Sequence, residues 1–386
     1  MKIAIIGAGP AGLYLALLLG KRHRDIEIDI YEQNPDDATY GFGVSLASSS
    51  WGRMREADAA SHDAIMRAAY FGHHQLIGHR GEHILVERQG DNAGIKRLTL
   101  LKILKEHAQA AGARFHYDVR LESLSRFWDC DLVVGSDGSN SIVRLCHEAE
   151  FGTKARELTN RMAWYGCDRH FAPPFLIFKK TEFGYFWCVG YSHTELESTF
   201  VAECDAEAWE KSGLANMSID EQIAFSERMF ADELGYGRLI NNNSIWRTLT
   251  MVEVENWSVG NRVLIGDALH SPHPTIGSGT RMAMDDSVAL ADAISHNPND
   301  IAAALVEFRR VREPIKNKLV EARNKSILWY EDIGNIADRL DPVPFVFDFM
   351  TRTGRISLER LNRDFPDFMA RYGEVGRSYL GETVSA

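Results

Sequence analysis

The sequence predicts an α/β fold in which a parallel-sheet domain is interleaved with an antiparallel-sheet domain and followed by C-terminal helices. Three observations predict it. A strand, a glycine-rich turn and a helix open the chain at residues 2–20, the hydrophobic period becomes alternating over residues 162–204, and a second strand-to-helix step returns at residues 262–295.

The opening strand Lys2–Ile6 is a short apolar run that ends in glycine. An apolar helical segment at 10–20 and a strand at 26–31 complete a βαβ unit. A second helix is expected at 97–111, where Leu100, Leu101, Leu104 and Ala108 recur on one face, followed by strands near 114–117 and 131–134. Beyond residue 162, the segments 175–178, 185–189 and 199–202 are rich in β-branched and aromatic residues. Gly and charged turns separate them, as in an antiparallel sheet. The strand at 262–265 and helix at 281–295 then resume the first domain, and the chain past Asp300 is helical apart from Asp341-Pro342-Val343-Pro344. The expected division is 1–69, 93–158 and 251–300 for the first domain, 70–92 and 159–250 for the second, and 301–386 for the helical region. No internal repeat is visible.

A chain of 386 residues with 45% apolar and 25% charged residues can bury large cores and has a globular composition. Its net charge of -11 supplies no basic face for a nucleic-acid backbone, so nucleic acid is not expected as a partner. An anionic substrate would need positive charge concentrated locally. The five cysteines contain no CxxC pair, which points to neither zinc nor a disulfide framework and suits a reducing cytoplasm. No export signal is expected at the N-terminus, and the longest apolar stretch, 13–19, falls well short of the roughly 20 residues of a membrane span.

The strongest motif is Gly7-Ala8-Gly9-Pro10-Ala11-Gly12, lying between strand and helix, with Glu32 at the end of the second strand. Gly7 suits the tight turn, Gly9 lets the backbone approach a pyrophosphate, and Gly12 lets helix and strand pack closely. The helix N-terminus attracts phosphate, and Glu32 is placed for ribose hydroxyls, giving a Rossmann-like dinucleotide site. Two further motifs follow apolar strands. One is Asp137-Gly138-Ser139-Asn140-Ser141-Ile142-Val143-Arg144; the other starts at Gly266-Asp267-Ala268-Leu269-His270 and continues through Pro274, Gly277 and Gly279.

In this order, the three motifs resemble those of the FAD-dependent aromatic hydroxylases of the para-hydroxybenzoate hydroxylase type: GxGxxG, DGxxSxxR and GDAxHxxxPxxGxG. The resemblance spans about residues 1–295. Gly41-Phe42-Gly43-Val44, Trp164-Tyr165-Gly166, the run 198–204 and Ile276-Gly277-Ser278-Gly279-Thr280 are similar to a narrower branch. That branch contains the salicylyl-CoA and 2-aminobenzoyl-CoA monooxygenases and the violacein-pathway hydroxylase of a tryptophan derivative.

The resemblance implies a Rossmann-like FAD-binding domain joined to an antiparallel-sheet substrate domain. It also implies NADH or NADPH as a transient reductant, O2 as co-substrate, and hydroxylation of an aromatic acid, CoA thioester or indole derivative through a flavin C4a-hydroperoxide. Gly7, Gly9, Ala11, Gly12, Glu32, Arg97, Asp137, Gly138, Asp267, Pro274, Gly277, Ser278, Gly279 and Thr280 then become the expected cofactor-binding residues. Asp267 is assigned to the ribityl hydroxyls as a buried carboxylate, and Arg97 to the phosphate or ribityl region, because such charge-assisted bonds suit the cofactor.

Where the family often carries Asn, this chain has Arg281, a candidate for holding positive charge near the flavin or an anionic substrate group; a solvent-facing helix residue is the plain alternative. His273 is a candidate for lining the catalytic site, while His270 reads as a packing residue. Arg144 and Asp286 read equally well as structural. No metal site is expected. Two other activities share the nucleotide motifs: an FAD-dependent reductase or dehydrogenase that inserts no oxygen, and a flavin-binding redox sensor. No WxWxIP segment of the halogenase type is present.

Overall fold

The computed structural model describes residues 1–38, 41–47, 51–271 and 273–381. Its first sheet has six strands in the order Ser258–Val259, Arg262–Leu264, Leu132–Gly135, Lys2–Ile6, Glu27–Tyr31 and Arg114–His116. All neighbours are parallel except the hairpin formed by the first two. The central strands are continuous apolar runs because helices cover them, and Leu132–Gly135 is buried along its whole length. Helix Pro10–Arg22 is buried from Pro10 to Gly20 and packs against helices Gly279–His296 and Arg97–Ala110. Leu100, Leu104 and Ala108, the stripe legible in the sequence, form the buried face of the latter.

The second sheet has eight strands, ordered Leu239–Ile240, Arg161–Cys167, Ser198–Cys204, Tyr185–Ser192, Phe175–Lys180, Tyr70–His79, Glu82–Lys96 and Gly43–Ala47. It departs from the fully antiparallel sheet expected at one place: Phe175–Lys180 pairs parallel with Tyr70–His79. These strands are almost a hundred residues apart in sequence, so no hairpin constrains their direction. Gly43–Ala47, which lies within the 1–69 segment, pairs with the edge of this sheet.

Both faces of the second sheet are covered. On one, Tyr165, Phe186, Phe200, Ala202 and Cys204 pack on the segment 206–234. On the other, Leu176, Phe178 and Trp187 pack on Trp329, Tyr330, Phe345 and Phe349 of the C-terminal helices. Sheet alternation therefore sends Thr199, Val201 and Glu203 to the face opposite Phe200, Ala202 and Cys204. Their cross-strand neighbours on this face are Gly166, Trp164 and Met162 on one side, and Tyr191, Val189 and Trp187 on the other.

Candidate functional site

Three loops converge at the C-terminal edge of the parallel sheet, where ligands of open α/β sheets bind. The hydroxyl of Ser136 donates to the carbonyls of Ile6 and Gly7, both at 2.9 Å, which fastens the second motif to the first. A Cβ on Gly7 would lie 2.7 Å from the Asp137 Cα, and Gly7 holds φ at +100°, so only glycine fits. Gly12 is also closed in: a Cβ there would meet the Gly7 oxygen at 2.3 Å. Gly9 is different, since its nearest atom would be the Ser136 oxygen at 3.8 Å. The third loop joins through Gly266, whose Cβ position faces Ala11 and Ala283 at 3.2 Å, and through Ser287, which donates to the Ala11 carbonyl at 2.7 Å.

This convergence suits a dinucleotide chemically. Helix Pro10–Arg22 has no side-chain cap and no acid in its first turn, so its N–H groups remain available to an anion. Helix Gly279–His296, preceded by Pro274–Ile276 and by Gly277 at φ +55°, is uncapped and free of acid in the same way. Gly9, Glu32 and Arg97 line one recess with Ala8 and Asn34. Glu32 accepts hydrogen bonds from the backbone of Ala8 and Asn34, both at 2.9 Å, which orients its carboxylate at the recess. The Nε of Arg97 and the Oδ1 of Asp137 are buried with no hydrogen-bond partner, and each is a polar atom that a bound group can satisfy. Gly138 holds φ at +82° beside Asp137, whose other oxygen accepts from Ile142 N–H at 2.7 Å. These orphaned donors and acceptors and the open Gly9 cradle fit FAD.

The Asp267 side chain reaches the surface on the open side of the loop that follows Gly266, which holds φ at +60°. The protein around it still desolvates the carboxyl and pushes its pKa up to about 6, opposed by the nearby Arg97 charge. Burial likewise raises Asp137 and lowers Arg97.

His270 is buried, 3.3 Å from Asp286, and burial pushes it down to about 4, as suits a packing residue. His273 is also buried and pushed down to about 4, by burial and by the charges of Arg323 and Arg352; its Nδ1 lies 2.8 Å from the Thr275 hydroxyl. It is neutral near pH 7. Arg281 occupies the first turn of helix Gly279–His296, half-buried, with Asp285 as the nearby acid and Arg53, Arg355 and Arg312 close enough to depress its pKa. Arg144 is structural: it donates to the carbonyls of Ala268, at 2.8 Å, and Ser139. Ser278 donates to the Ile276 carbonyl and tightens the turn before Gly279 and Thr280.

Sequence reasoning missed what the C-terminal helices contribute. Arg312 pairs with Asp286, Arg323 donates to the Ser271 carbonyl at 3.0 Å, and Arg352 donates to the Thr275 carbonyl at 2.7 Å. Three arginines thus grip the segment 266–286 from behind. The same helices bring Tyr330 beside Glu203 and His273 around a small recess. On the second sheet Tyr191 donates to the Gly43 carbonyl at 2.9 Å, His193 is fully packed, and Trp187 is core. Among the described residues no helix is long and apolar enough to cross a membrane, and no cluster is arranged to hold a metal ion.

A family model described as FAD binding domain matches residues 125–322. The chain is 31% identical over 362 residues to the salicyloyl-CoA 5-hydroxylase of a Streptomyces species, covering 92% of this chain and 70% of that one. It is 32% identical over 370 residues to the 3-hydroxy-4-methyl-anthranilyl-[aryl-carrier protein] 5-monooxygenase of Streptosporangium sibiricum, covering 92% and 95%. Its fold is similar to that of 2-methyl-3-hydroxypyridine-5-carboxylic acid oxygenase in its tetrameric form, with a TM-score of 0.67 at 16% identity over 93% and 95% of the two chains.

Proposed function

The chain belongs to the FAD-dependent aromatic hydroxylases that share this FAD binding domain, and on that premise we propose that it oxygenates an aroyl group tethered to a carrier. The observation that carries this reading is the pair of relatives matched over 92% of the chain: one is named for a coenzyme A ester and the other for an aryl-carrier protein, and both for an aroyl ring. When bound, FAD accepts hydride from NADH or NADPH and activates O2 for transfer to the ring. The protein binds and orients the cofactor and the ring, and keeps water from the reacting atoms.

In this reading Gly7, Gly9, Ala11 and Gly12 present the first helix to the pyrophosphate, and Glu32 takes the ribose hydroxyls. Arg97 meets phosphate or ribityl oxygens, and Asp137 with Gly138 closes the cradle. Burial raises Asp137 above the ordinary carboxylate range and so disfavours the charge that would repel phosphate. Asp267 receives the ribityl hydroxyls. Pro274 through Thr280, with Gly277, Ser278 and Gly279, set the helix N-terminus against the flavin edge, where its positive end favours the anionic reduced ring. His273, neutral, lines the ring site. The proposed domains are 1–69, 93–158 and 251–300 for FAD and 70–92 and 159–250 for substrate, with 301–386 as buttress, of which residues 382–386 lie outside the described part. The five free cysteines suit a cytoplasmic location.

Arg281 provides the contact to the carrier. With Arg53 and Arg355, and with Asp285 between them, it concentrates positive charge in an otherwise acidic chain, as the phosphates of coenzyme A or of a phosphopantetheine arm require. Arg281→Ala should raise KM for salicyloyl-CoA about tenfold, the loss of one charge-assisted bond, and leave kcat nearly unchanged. An unchanged KM removes Arg281 from substrate binding.

The decisive experiment follows NADH and NADPH oxidation in air by the FAD-loaded protein with salicyloyl-CoA, 2-aminobenzoyl-CoA, benzoyl-CoA and the free acids, with product masses recorded. Stimulated oxidation with gain of one oxygen on a thioester is expected. Equal turnover of free acids would remove the carrier, and nicotinamide oxidation without an oxygenated product would favour a reductase.

FAD affinity should also depend on pH. Ribityl hydroxyls bind the ionised Asp267 best, and its free carboxyl titrates near 6, so affinity weakens as pH falls through 6 and is constant above about 7. Fluorescence titration of the apoprotein at pH 5–8 reads this directly. Asp267→Asn should flatten the profile, and a profile unchanged in that variant assigns the titration to another group.

A further inference from the structure

Glu203 is an acid in a strand that is otherwise apolar or small. The strand Ser198–Cys204 is buried along its length, and Glu203 is 6% exposed. Its row on the sheet is Met162–Glu203–Trp187, and the next row is Trp164–Val201–Val189. Burial pushes the carboxyl up to about 8. Among the described residues, the one polar neighbour favouring its charge is the Trp187 indole N–H, which closes no hydrogen bond of normal geometry.

The other polar groups around it do not supply a partner. The recess that Glu203 lines is shared with Asn160, Arg161, His273 and Tyr330, and the Asn160 amide donates to the Tyr330 carbonyl at 2.9 Å. The Arg161 guanidinium stacks on Trp209, 5.5 Å from the ring centroid, and donates to Thr159. His273 is neutral near pH 7 and engaged with Thr275. Tyr330, whose hydroxyl burial keeps protonated, acts on Glu203 through charge without a hydrogen bond to it, and Arg352, stacked over its ring, is committed to the carbonyls of Thr275 and Phe349.

A buried carboxyl without a partner costs stability that Val or Leu at this position would not, so its partner arrives from outside the chain. The recess adjoins His273 and therefore the 274–280 segment. What that partner is rests on the aroyl reading proposed above. Both relatives' names place a hydrogen-donating substituent at ring position 2, hydroxyl in salicyloyl and amino in anthranilyl, and oxygen insertion at position 5. Positions 2 and 5 are para, so the donor that activates the ring lies at the far end from the carbon attacked. A site for such rings needs an acceptor at that far end. We propose that Glu203 is a specificity-determining residue that accepts the hydrogen of the 2-hydroxyl or 2-amino group of the aroyl ring.

The test is equilibrium binding to the FAD-loaded protein, read as the change in flavin absorbance, with salicyloyl-CoA, 2-aminobenzoyl-CoA and benzoyl-CoA. The wild type should bind the two substituted thioesters about 10- to 100-fold tighter than benzoyl-CoA. Glu203→Leu should bring that ratio near one while keeping benzoyl-CoA affinity, and should melt no lower than the wild type because an unpaired carboxyl is gone. Glu203→Gln, which keeps an acceptor carbonyl, should retain the preference within about threefold. If the leucine variant does not hold FAD, Glu203→Met, closer in shape, replaces it. No preference in the wild type, or a wild-type ratio in the leucine variant, overturns the assignment and leaves the carrier reading standing. Failure of every thioester to bind a protein that holds FAD overturns that reading, and this assignment with it.

Discussion

Gly9→Val should abolish FAD binding and leave the apoprotein folded. At Gly9 the backbone is extended, with φ -77° and ψ 178°, a conformation that valine adopts readily. The nearest protein atom to a Cβ there is the Ser136 oxygen at 3.8 Å, an ordinary contact, so the fold has room for the side chain. The pyrophosphate does not, because the loop works by letting backbone N–H groups reach phosphate oxygens without a Cβ between them. A loss of more than about a hundredfold in FAD affinity is expected, with the apoprotein melting as the wild-type apoprotein does. Gly12→Ala gives the contrast: its methyl would meet the Gly7 oxygen at 2.3 Å and the Ser136 hydroxyl at 2.5 Å, so that variant should lose stability as well. A Gly9→Val protein that purifies yellow, with stoichiometric FAD, would place the pyrophosphate elsewhere.

That pair of glycines shows what the sequence makes legible. Spacing alone assigns Gly7, Gly9 and Gly12 to a turn, an approach and a packing contact, and the structure has Gly7 and Gly12 closed in by protein and Gly9 open. Local rules sufficed because strand, loop and helix are contiguous in the chain. The parallel pairing of Phe175–Lys180 with Tyr70–His79 was not legible, since its partners are distant and a single strand's alternation is the same in either direction.

The proposed ring site was least legible. Glu203, Tyr330 and Arg352 come from a strand and two C-terminal helices, and only the tertiary packing sets them around His273. One signal was available in the sequence. Within 198–204, alternation puts Phe200, Ala202 and Cys204 on one face and leaves an acid on the other with Thr199 and Val201. A carboxylate at a core-like position asks for a partner, and that demand alone singles the residue out. The C-terminal helices offered no such signal, because Arg323 and Arg352 act on backbone carbonyls that carry no sequence mark.

Asp286→Ala should destabilise the apoprotein by about 3–5 kcal/mol, the cost of leaving a buried charge without its partner. Asp286 is fully buried and Arg312 is 2% exposed; the guanidinium Nε donates to Oδ1 at 2.8 Å. The second oxygen accepts from the Gly266 N–H at 3.0 Å, so the same substitution leaves that donor unpaired at the root of the loop carrying Asp267. FAD affinity should fall with stability, although Asp286 itself touches no part of the proposed cofactor site. The two effects separate in a cycle. Asp286→Leu with Arg312→Met removes both charges, and should recover most of the lost stability because a buried ion pair adds little beyond well-packed apolar residues. It cannot restore the acceptor for Gly266, so FAD affinity should stay low. Denaturant unfolding of the apoproteins and FAD titration measure the two arms. If affinity recovers along with stability, the long helix Ile301–Glu331 supports the flavin loop through packing and Arg323; if it does not, the hydrogen bond from Gly266 to Asp286 is how Arg312 of that helix holds the site in register.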